Sequence, residues 1–224
     1  MEKTKKKSTP GRLYGGETSA ERLARQRQQF MDAGLELFGT VGYRATSVRL
    51  LCKQAQLTDR YFYKNFKDTE DLLAAVYSSS VDQLQTTFMQ AMSVSNLQAD
   101  TMKNTKQLIE AGLSAFFSAV ENPLIARVCW LEVLGVSPRI DQLYTKRLQQ
   151  FAGLMLILAK GMNVTWLLSE DESRFMGVAL IGAISQSAMH WLIEDYQTPK
   201  EVLVSTNSRL IIGLIGALEV PRAE

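Results

Sequence analysis

The sequence predicts an all-α protein of about nine helices, and three observations carry that prediction. No segment alternates polar and apolar residues for long enough to make a strand. Apolar residues recur instead at three- and four-residue spacing along most of the chain. Helix starts are marked by local punctuation. Asn122-Pro123 and Ser137-Pro138 each set a capping residue before a proline at the first helical position. Ser169 with Glu172 reads as a capping box, and Thr198 with Glu201 reads as another.

Taken in order, residues 1–19 are basic, small and turn-forming, and are expected to be a disordered arm. A helix from about Ala20 to Thr40 carries Leu23, Phe30, Gly34, Leu37 and Phe38 on one face, and Gly42 ends it. Thr46 or Ser47 can cap the next helix, in which Val48, Leu51, Cys52 and Ala55 fall at i, i+3, i+4 and i+7. Thr58 is a second capping residue and opens a helix of about two turns. There Phe62 and Phe66, four apart, point together into a core. Tyr61, Tyr63, Lys64 and Lys67 are thereby forced outward. A short second helix with an exposed face of tyrosine and base is what a helix-turn-helix offers to DNA. A long helix then runs from about Asp68 through Leu72, Leu73, Val76, Leu84 and Phe88, followed by a polar turn at 93–100. Helices near 102–121, 123–134, 138–161, 169–196 and 199–219 complete the chain.

Charge separates the front of the molecule from the rest. Residues 1–67 hold 14 Lys+Arg against 6 Asp+Glu, whereas residues 68–224 hold 11 against 17. A basic front on an acidic body points to nucleic acid as the partner of the front. Two cysteines, Cys52 and Cys129, make no disulfide framework and fit a reducing cytoplasm. His190 is the sole histidine, and no phosphate-binding loop, dinucleotide fingerprint or paired-cysteine motif occurs. The expectation is therefore a protein that is not an enzyme and needs no cofactor or metal. The amino terminus lacks the apolar core of a secretion signal. Phe175–Ile193 is free of charge for nineteen residues, near bilayer-spanning length. Its Ser185, Gln186, Ser187 and His190 favour burial in a helical bundle, with no membrane as partner.

Residues 42–73 resemble the DNA-binding domain of the tetracycline-repressor (TetR) family. The matching positions are Gly42, Thr46, Ser47, Val48, Arg49, Ala55, Leu57, Thr58, Phe62, Tyr63, Phe66, Lys67, Glu70, Asp71, Leu72 and Leu73. Gln56 stands where the family has glycine, and Asp59 where a basic residue is common. A non-glycine residue at position 56 is expected to avoid positive φ. The resemblance implies a homodimeric repressor on a palindromic operator in double-stranded DNA. Carried over by position, it has Thr58, Arg60 and Tyr61 face base edges and Arg49 reach the groove edge. Tyr43, Thr46, Tyr63, Lys64 and Lys67 hold phosphates. Residues 20–67 then form the DNA-binding domain, and residues 68–224 the ligand-binding and dimerisation domain.

The last two helices are rich in small residues between bulky ones, so their backbones can approach closely. They are more apolar than a domain of this size can cover alone. The expected dimer seam includes Gly182, Ser185, Met189, Ser208, Ile212 and Ile215. Aromatic and methionine side chains between 102 and 196 suit an adaptable apolar pocket. Its candidates are Phe116, Phe117, Trp130, Phe151, Met155, Phe175, Met176 and Met189, with Trp166 and Trp191 nearby in sequence. Arg127, Glu132 and Arg174 are candidates to orient a small-molecule effector that is apolar or amphipathic. The alternative is a helical DNA-binding protein without small-molecule response, acting architecturally or through protein partners.

Overall fold

The computed structural model describes residues 18–94, 102–161 and 168–218, and among these it is all-α, with nine α-helices and no strand. The helices are α1 (Ser19–Thr40), α2 (Val48–Ala55), α3 (Asp59–Asn65), α4 (Thr69–Val94), α5 (Met102–Val120), α6 (Pro123–Arg127), α7 (Pro138–Gly161), α8 (Glu170–Ile193) and α9 (Lys200–Leu218). A 3-10 turn spans Tyr43–Ala45 and a π-helical turn spans Val128–Glu132. The expected arm at 1–19 and the polar turn at 93–100 lie almost wholly outside the described residues, as does Trp166.

Helix α1 opens on a reciprocal capping box between Thr18 and Glu21. Its buried face is Gln26, Phe30, Ala33, Gly34, Leu37 and Phe38. Leu23 does not belong to that face: it is 43% exposed, one turn before the first residue that the helix buries. Helices α1, α2 and α3 form a small head around Phe30, Leu51, Phe62 and Phe66, each no more than 2% exposed. Phe30 meets Phe62 and Phe66 edge-on, with ring centres 5.3 and 6.4 Å apart. Such pairs add about 0.5–1.5 kcal/mol each beyond the area they bury.

Helix α4 leaves the head and packs on α5 and α7, while α9 lies on α5 and α8 lies on α7. The segment expected as one helix over 123–134 is instead a single α turn, capped by Asn122, followed by the π turn. Val128, Cys129 and Trp130 are consecutive and all buried. At about 100° per residue an α-helix would fan them widely, whereas the wider turn draws them onto a narrower arc. Helix α8 keeps its capping box but ends at Ile193, short of the expected 196. Asp195 and Tyr196 turn left-handed there (φ 54 and 58), because Tyr196 stacks edge-on against Trp191 at 4.8 Å and donates its hydroxyl to the Val120 carbonyl at 2.9 Å. The Thr198 hydroxyl, expected to cap α9, lies 3.2 Å from Glu194 Oε2 and donates to it.

The head and the body meet at the end of α1. A Cβ on Gly39 would lie 2.7 Å from the Leu124 Cα, so α1 and α6 touch backbone to backbone. Gly42 follows at φ 93 and ψ 153, a conformation that favours glycine.

Candidate nucleic-acid interface

Ser47, not Thr46, caps α2 by accepting the Leu50 N–H at 3.3 Å. Thr46 is 8% exposed, and its hydroxyl donates to the Gly42 carbonyl at 2.8 Å. With its one hydrogen committed there, Thr46 shapes the loop and has no proton to offer a phosphate. Gln56 closes α2 in the left-handed region, φ 54 and ψ 38, against the expectation that a non-glycine residue would avoid it. The Leu57 N–H reaches back to the Cys52 carbonyl at 3.0 Å, and the Leu57 side chain packs on the core. Those two anchors on the next residue hold the turn that Gln56 itself disfavours.

On α3, Phe62 and Phe66 fix the helix to the head, and Asn65 Nδ2 donates to the Tyr61 carbonyl at 2.8 Å. The outer surface presents Thr58, Arg60, Tyr63, Lys64 and, just beyond the helix, Lys67 as exposed side chains. Tyr63 is 61% exposed. The Thr58 side chain makes no capping bond, so its hydroxyl faces outward uncommitted. Tyr61 is half-buried, with Lys64 Nζ 5.6 Å above its ring. Tyr43 is half-buried too, its ring 5.7 Å from Phe38. Arg49 is exposed on α2. Asp59 sits in the first turn of α3, where a carboxylate favours the helix dipole, and accepts the Arg60 N–H at 2.7 Å. Arg44 and Lys53, not among the residues suggested by the sequence, are also exposed. The available signal was spacing, since Lys53 follows Arg49 by four.

Deeper in the body, α4, α5, the π turn, α7 and α8 line a cavity of about 60 Å³ that opens to solvent. Its wall includes Tyr77, Leu84, Phe116, Cys129, Trp130, Tyr144, Phe151 and Ile181. Tyr77 and Tyr144 stack at 6.2 Å. Burial raises the pKa of both phenols, and it pushes the Cys129 thiol up to about 12, so all three stay neutral near pH 7. Arg147 is the one cation among the lining residues, and it pairs with Asp82 at 2.9 Å.

Residues 30–76 match the model for bacterial regulatory proteins of the tetR family. The chain is 22% identical over 185 residues to the fatty acid metabolism regulator protein of Bacillus subtilis, covering 82% of this chain and 92% of that one. It is 23% identical over 221 residues to the transcriptional activator FasR of Mycolicibacterium smegmatis, covering 95% and 94%. Among solved structures, a TetR-family regulator from Syntrophomonas wolfei superposes with a TM-score of 0.70 at 17% identity, over 89% of this chain and 99% of that one. FadR of Bacillus subtilis, solved in complex with stearoyl-CoA, superposes with a TM-score of 0.66 at 20% identity, over 83% and 97%.

The chain carries the DNA-binding domain of the tetR family in its amino-terminal head. It is a DNA-binding transcriptional regulator, and the head described above is its DNA-binding part. In the body, the cavity takes in only three of the residues the sequence suggested for a pocket, Phe116, Trp130 and Phe151. Phe117 is fully buried against Trp191 instead, and Met155, Met176 and Met189 are half-buried away from the cavity wall. Phe175 is 62% exposed beneath the Arg174 guanidinium. None of the three suggested charged residues lines the cavity: Arg127 pairs with Glu132, Arg174 pairs with Asp171, and Arg147 takes the position at the wall.

The suggested seam residues also divide. Ser208 and Ile215 are buried within the subunit at 1% and 4% exposure, and Ser185 lines the cavity. Gly182 has nothing within 4 Å of where a Cβ would stand, and the same is true of Gly213 and Gly216. On the same two helices, Phe175, Ile193, Val202 and Leu210 are 49–62% exposed. Helix α8 is long and apolar enough to cross a membrane by length and composition alone, and 28% of its most apolar stretch is buried.

Proposed function

We propose that the protein acts in the cytoplasm as a homodimeric repressor of genes for fatty-acid metabolism, released from a palindromic operator by a long-chain acyl thioester. Residues 20–67 form the DNA-reading part and residues 68–224 the part that binds effector and pairs the subunits. The observation that carries the effector assignment is the cavity itself: an apolar wall, neutral phenols and a thiol, and one guanidinium. The apolar lining suits an acyl chain in its chemistry, and an anionic head group can take the place of Asp82 beside Arg147. The stearoyl-CoA bound by the Bacillus subtilis FadR supports the same class of ligand. On the DNA side, Arg49, Thr58, Arg60 and Tyr61 are the candidates for the groove, with Tyr63, Lys64 and Lys67 on phosphates.

The name of the Mycolicibacterium relative, an activator, favours a second reading in which the bound regulator promotes transcription. A reporter fused to the selected operator, in cells with and without the regulator, separates the two by the sign of the change. The effector is tested by thermal unfolding with stearoyl-CoA, stearate and coenzyme A alone. Ligand binding to the native state raises the midpoint, by roughly 2.7 kcal/mol of stability at a hundredfold excess over Kd. No shift with stearoyl-CoA would remove acyl thioesters from the reading and leave a DNA-binding protein without this effector.

A further inference from the structure

The π turn at Val128–Glu132 belongs to two places at once. Cys129 and Trp130 form part of the cavity wall, and Trp130 stands edge-on to Phe116 at 6.2 Å. Two residues on, Glu132 leaves the cavity and reaches the head. Its Oε2 accepts the backbone N–H of Tyr43 at 2.8 Å, across 89 positions of sequence. Its Oε1 lies 3.4 Å from Arg127 Nη2, and its side chain is only 15% exposed. A Cβ on Gly42 would stand 3.3 Å from the same carboxylate. From there the chain of contacts continues through the 3-10 turn. The Gly42 carbonyl accepts the Thr46 hydroxyl at 2.8 Å, the Thr46 N–H returns to the Tyr43 carbonyl at 3.0 Å, and Ser47 caps α2.

We propose that Glu132 is the positioning residue that couples the effector cavity to the DNA-binding head, acting through the Tyr43 N–H at the start of the helix-turn-helix. A half-buried carboxylate holding a backbone donor forms a short, directional charge-assisted bond. Single π turns inside helices are frequent at functional sites, and here the wider turn joins wall and latch within three residues. A ligand that presses on Trp130 or Cys129 moves the same turn of backbone that aims Glu132. Displacement of the carboxylate then frees the loop that sets the orientation of α2 and α3. By linkage, DNA binding must bias the cavity wall by the same free energy that ligand binding biases the head.

This coupling deepens the proposed function, but one arm of its test does not depend on any effector. Hydrogen exchange is followed by mass spectrometry on the full-length protein with and without selected operator DNA. In the wild type, DNA is expected to slow exchange in peptides covering 43–67 and also in peptides covering 124–134. Glu132→Met, which keeps length but cannot accept the Tyr43 N–H, should retain the first protection and lose the second. Glu132→Gln, which keeps an acceptor oxygen, should restore both. If Glu132→Met does not fold, as judged by its far-ultraviolet spectrum, Glu132→Ala replaces it in the same comparison. The second arm measures operator Kd with and without stearoyl-CoA. The ratio should fall below twofold in Glu132→Met and stay within twofold of wild type in Glu132→Gln. Protection at 124–134 that persists in Glu132→Met would overturn the proposal, as would a wild type in which DNA never reaches that segment. A lower melting temperature with propagation intact would assign Glu132 a structural role only. Failure of stearoyl-CoA to bind the wild type would count against the acyl effector, while the exchange arm still decides the latch.

Discussion

The guanidinium of Arg27 lies 4.3 Å from the centre of the Phe66 ring and donates to the Asn65 carbonyl at 2.9 Å. Helix α1 thereby grips the last turn of α3, where orphan carbonyls have no helical partner. Arg27→Ala is expected to cost about 1 kcal/mol of stability, from the lost cation–π contact and hydrogen bond together. Affinity for operator and for unrelated DNA should fall together, because the whole helix loses its aim. Urea unfolding alongside DNA titration checks both. Weaker DNA binding at unchanged stability would mean that Arg27 touches phosphate and does not hold the helix.

Lys64 and Lys67 are exposed cations at the end of α3 and just after it. Each alanine variant should flatten the slope of log affinity against log salt by about one unit, without changing sequence preference. Tyr63→Ala should do little to folding, because that ring is 61% exposed. Tyr61→Ala should alter both operator choice and stability, since the ring is half-buried under Lys64. A binding-site selection with the two tyrosine variants separates these roles. Unaltered preference in both would remove tyrosine from base reading.

Gln56 occupies a left-handed position with an exposed side chain and no contact that requires glutamine. Gln56→Gly should raise stability by about 1 kcal/mol, because glycine meets no Cβ penalty there and is the favoured residue just after a helix. The gain is measured by the midpoint of denaturant unfolding. A loss would show that the glutamine side chain holds the turn.

The head was legible because its pattern is local: Phe62 and Phe66 announce a buried face by spacing alone, and every exposed residue on α3 follows from them. Helix starts at Pro123, Pro138 and Glu170 were legible for the same reason, since caps act within one turn. The body was less legible because burial there depends on which helices meet. Phe175 and Phe151 look alike in sequence, yet Phe151 faces the cavity and Phe175 faces out. Arg147 gave no signal at all, because its position at the wall depends on α4 supplying Asp82 from 65 residues away. Glu132 stood out as a charge among apolar neighbours, but only the fold reveals that it points to Tyr43 and not to a ligand.

Arg139 joins α7 to the start of α4, with Nη2 2.8 Å from Asp71 and Nη1 3.5 Å from Glu70. Partial burial raises the Asp71 pKa, but the Arg139 and Lys67 N–H bonds outweigh it and hold the carboxyl below its usual value. A carboxylate with a depressed folded pKa stabilises the fold above its unfolded pKa, about 3.9, and loses that contribution as pH falls through the folded value. The stability difference between wild type and Arg139→Gln should therefore be constant at neutral pH and shrink below about pH 4. It should stay under about 1 kcal/mol, because the guanidinium is half exposed and screened by water. Thermal unfolding of the two proteins at pH 7, 5, 4 and 3 tests the sign; a difference that grows in acid would exclude Asp71 as the partner.

Pairing of subunits decides whether the head can read a site at all. One recognition helix covers too few base pairs, so two heads must meet successive major grooves about 34–36 Å apart. The open glycines of α8 and α9, with Phe175, Ile193, Val202 and Leu210 exposed on the same helices, are the surface we assign to that pairing. Gly182→Asp places a charge where the subunit has empty space. The isolated subunit should tolerate it, keeping its helical spectrum, while the dimer should lose several kcal/mol to an unpaired buried charge. Ile215→Asp is the contrast, because Ile215 is 4% exposed within the subunit and its replacement should unfold the chain. Light scattering and circular dichroism on both variants and the wild type distinguish the two outcomes. A folded monomer from Gly182→Asp that has lost tight operator binding is the expected result. A dimer that survives Gly182→Asp would move the interface to other helices, and a wild-type monomer that binds its palindrome tightly would remove the need for one.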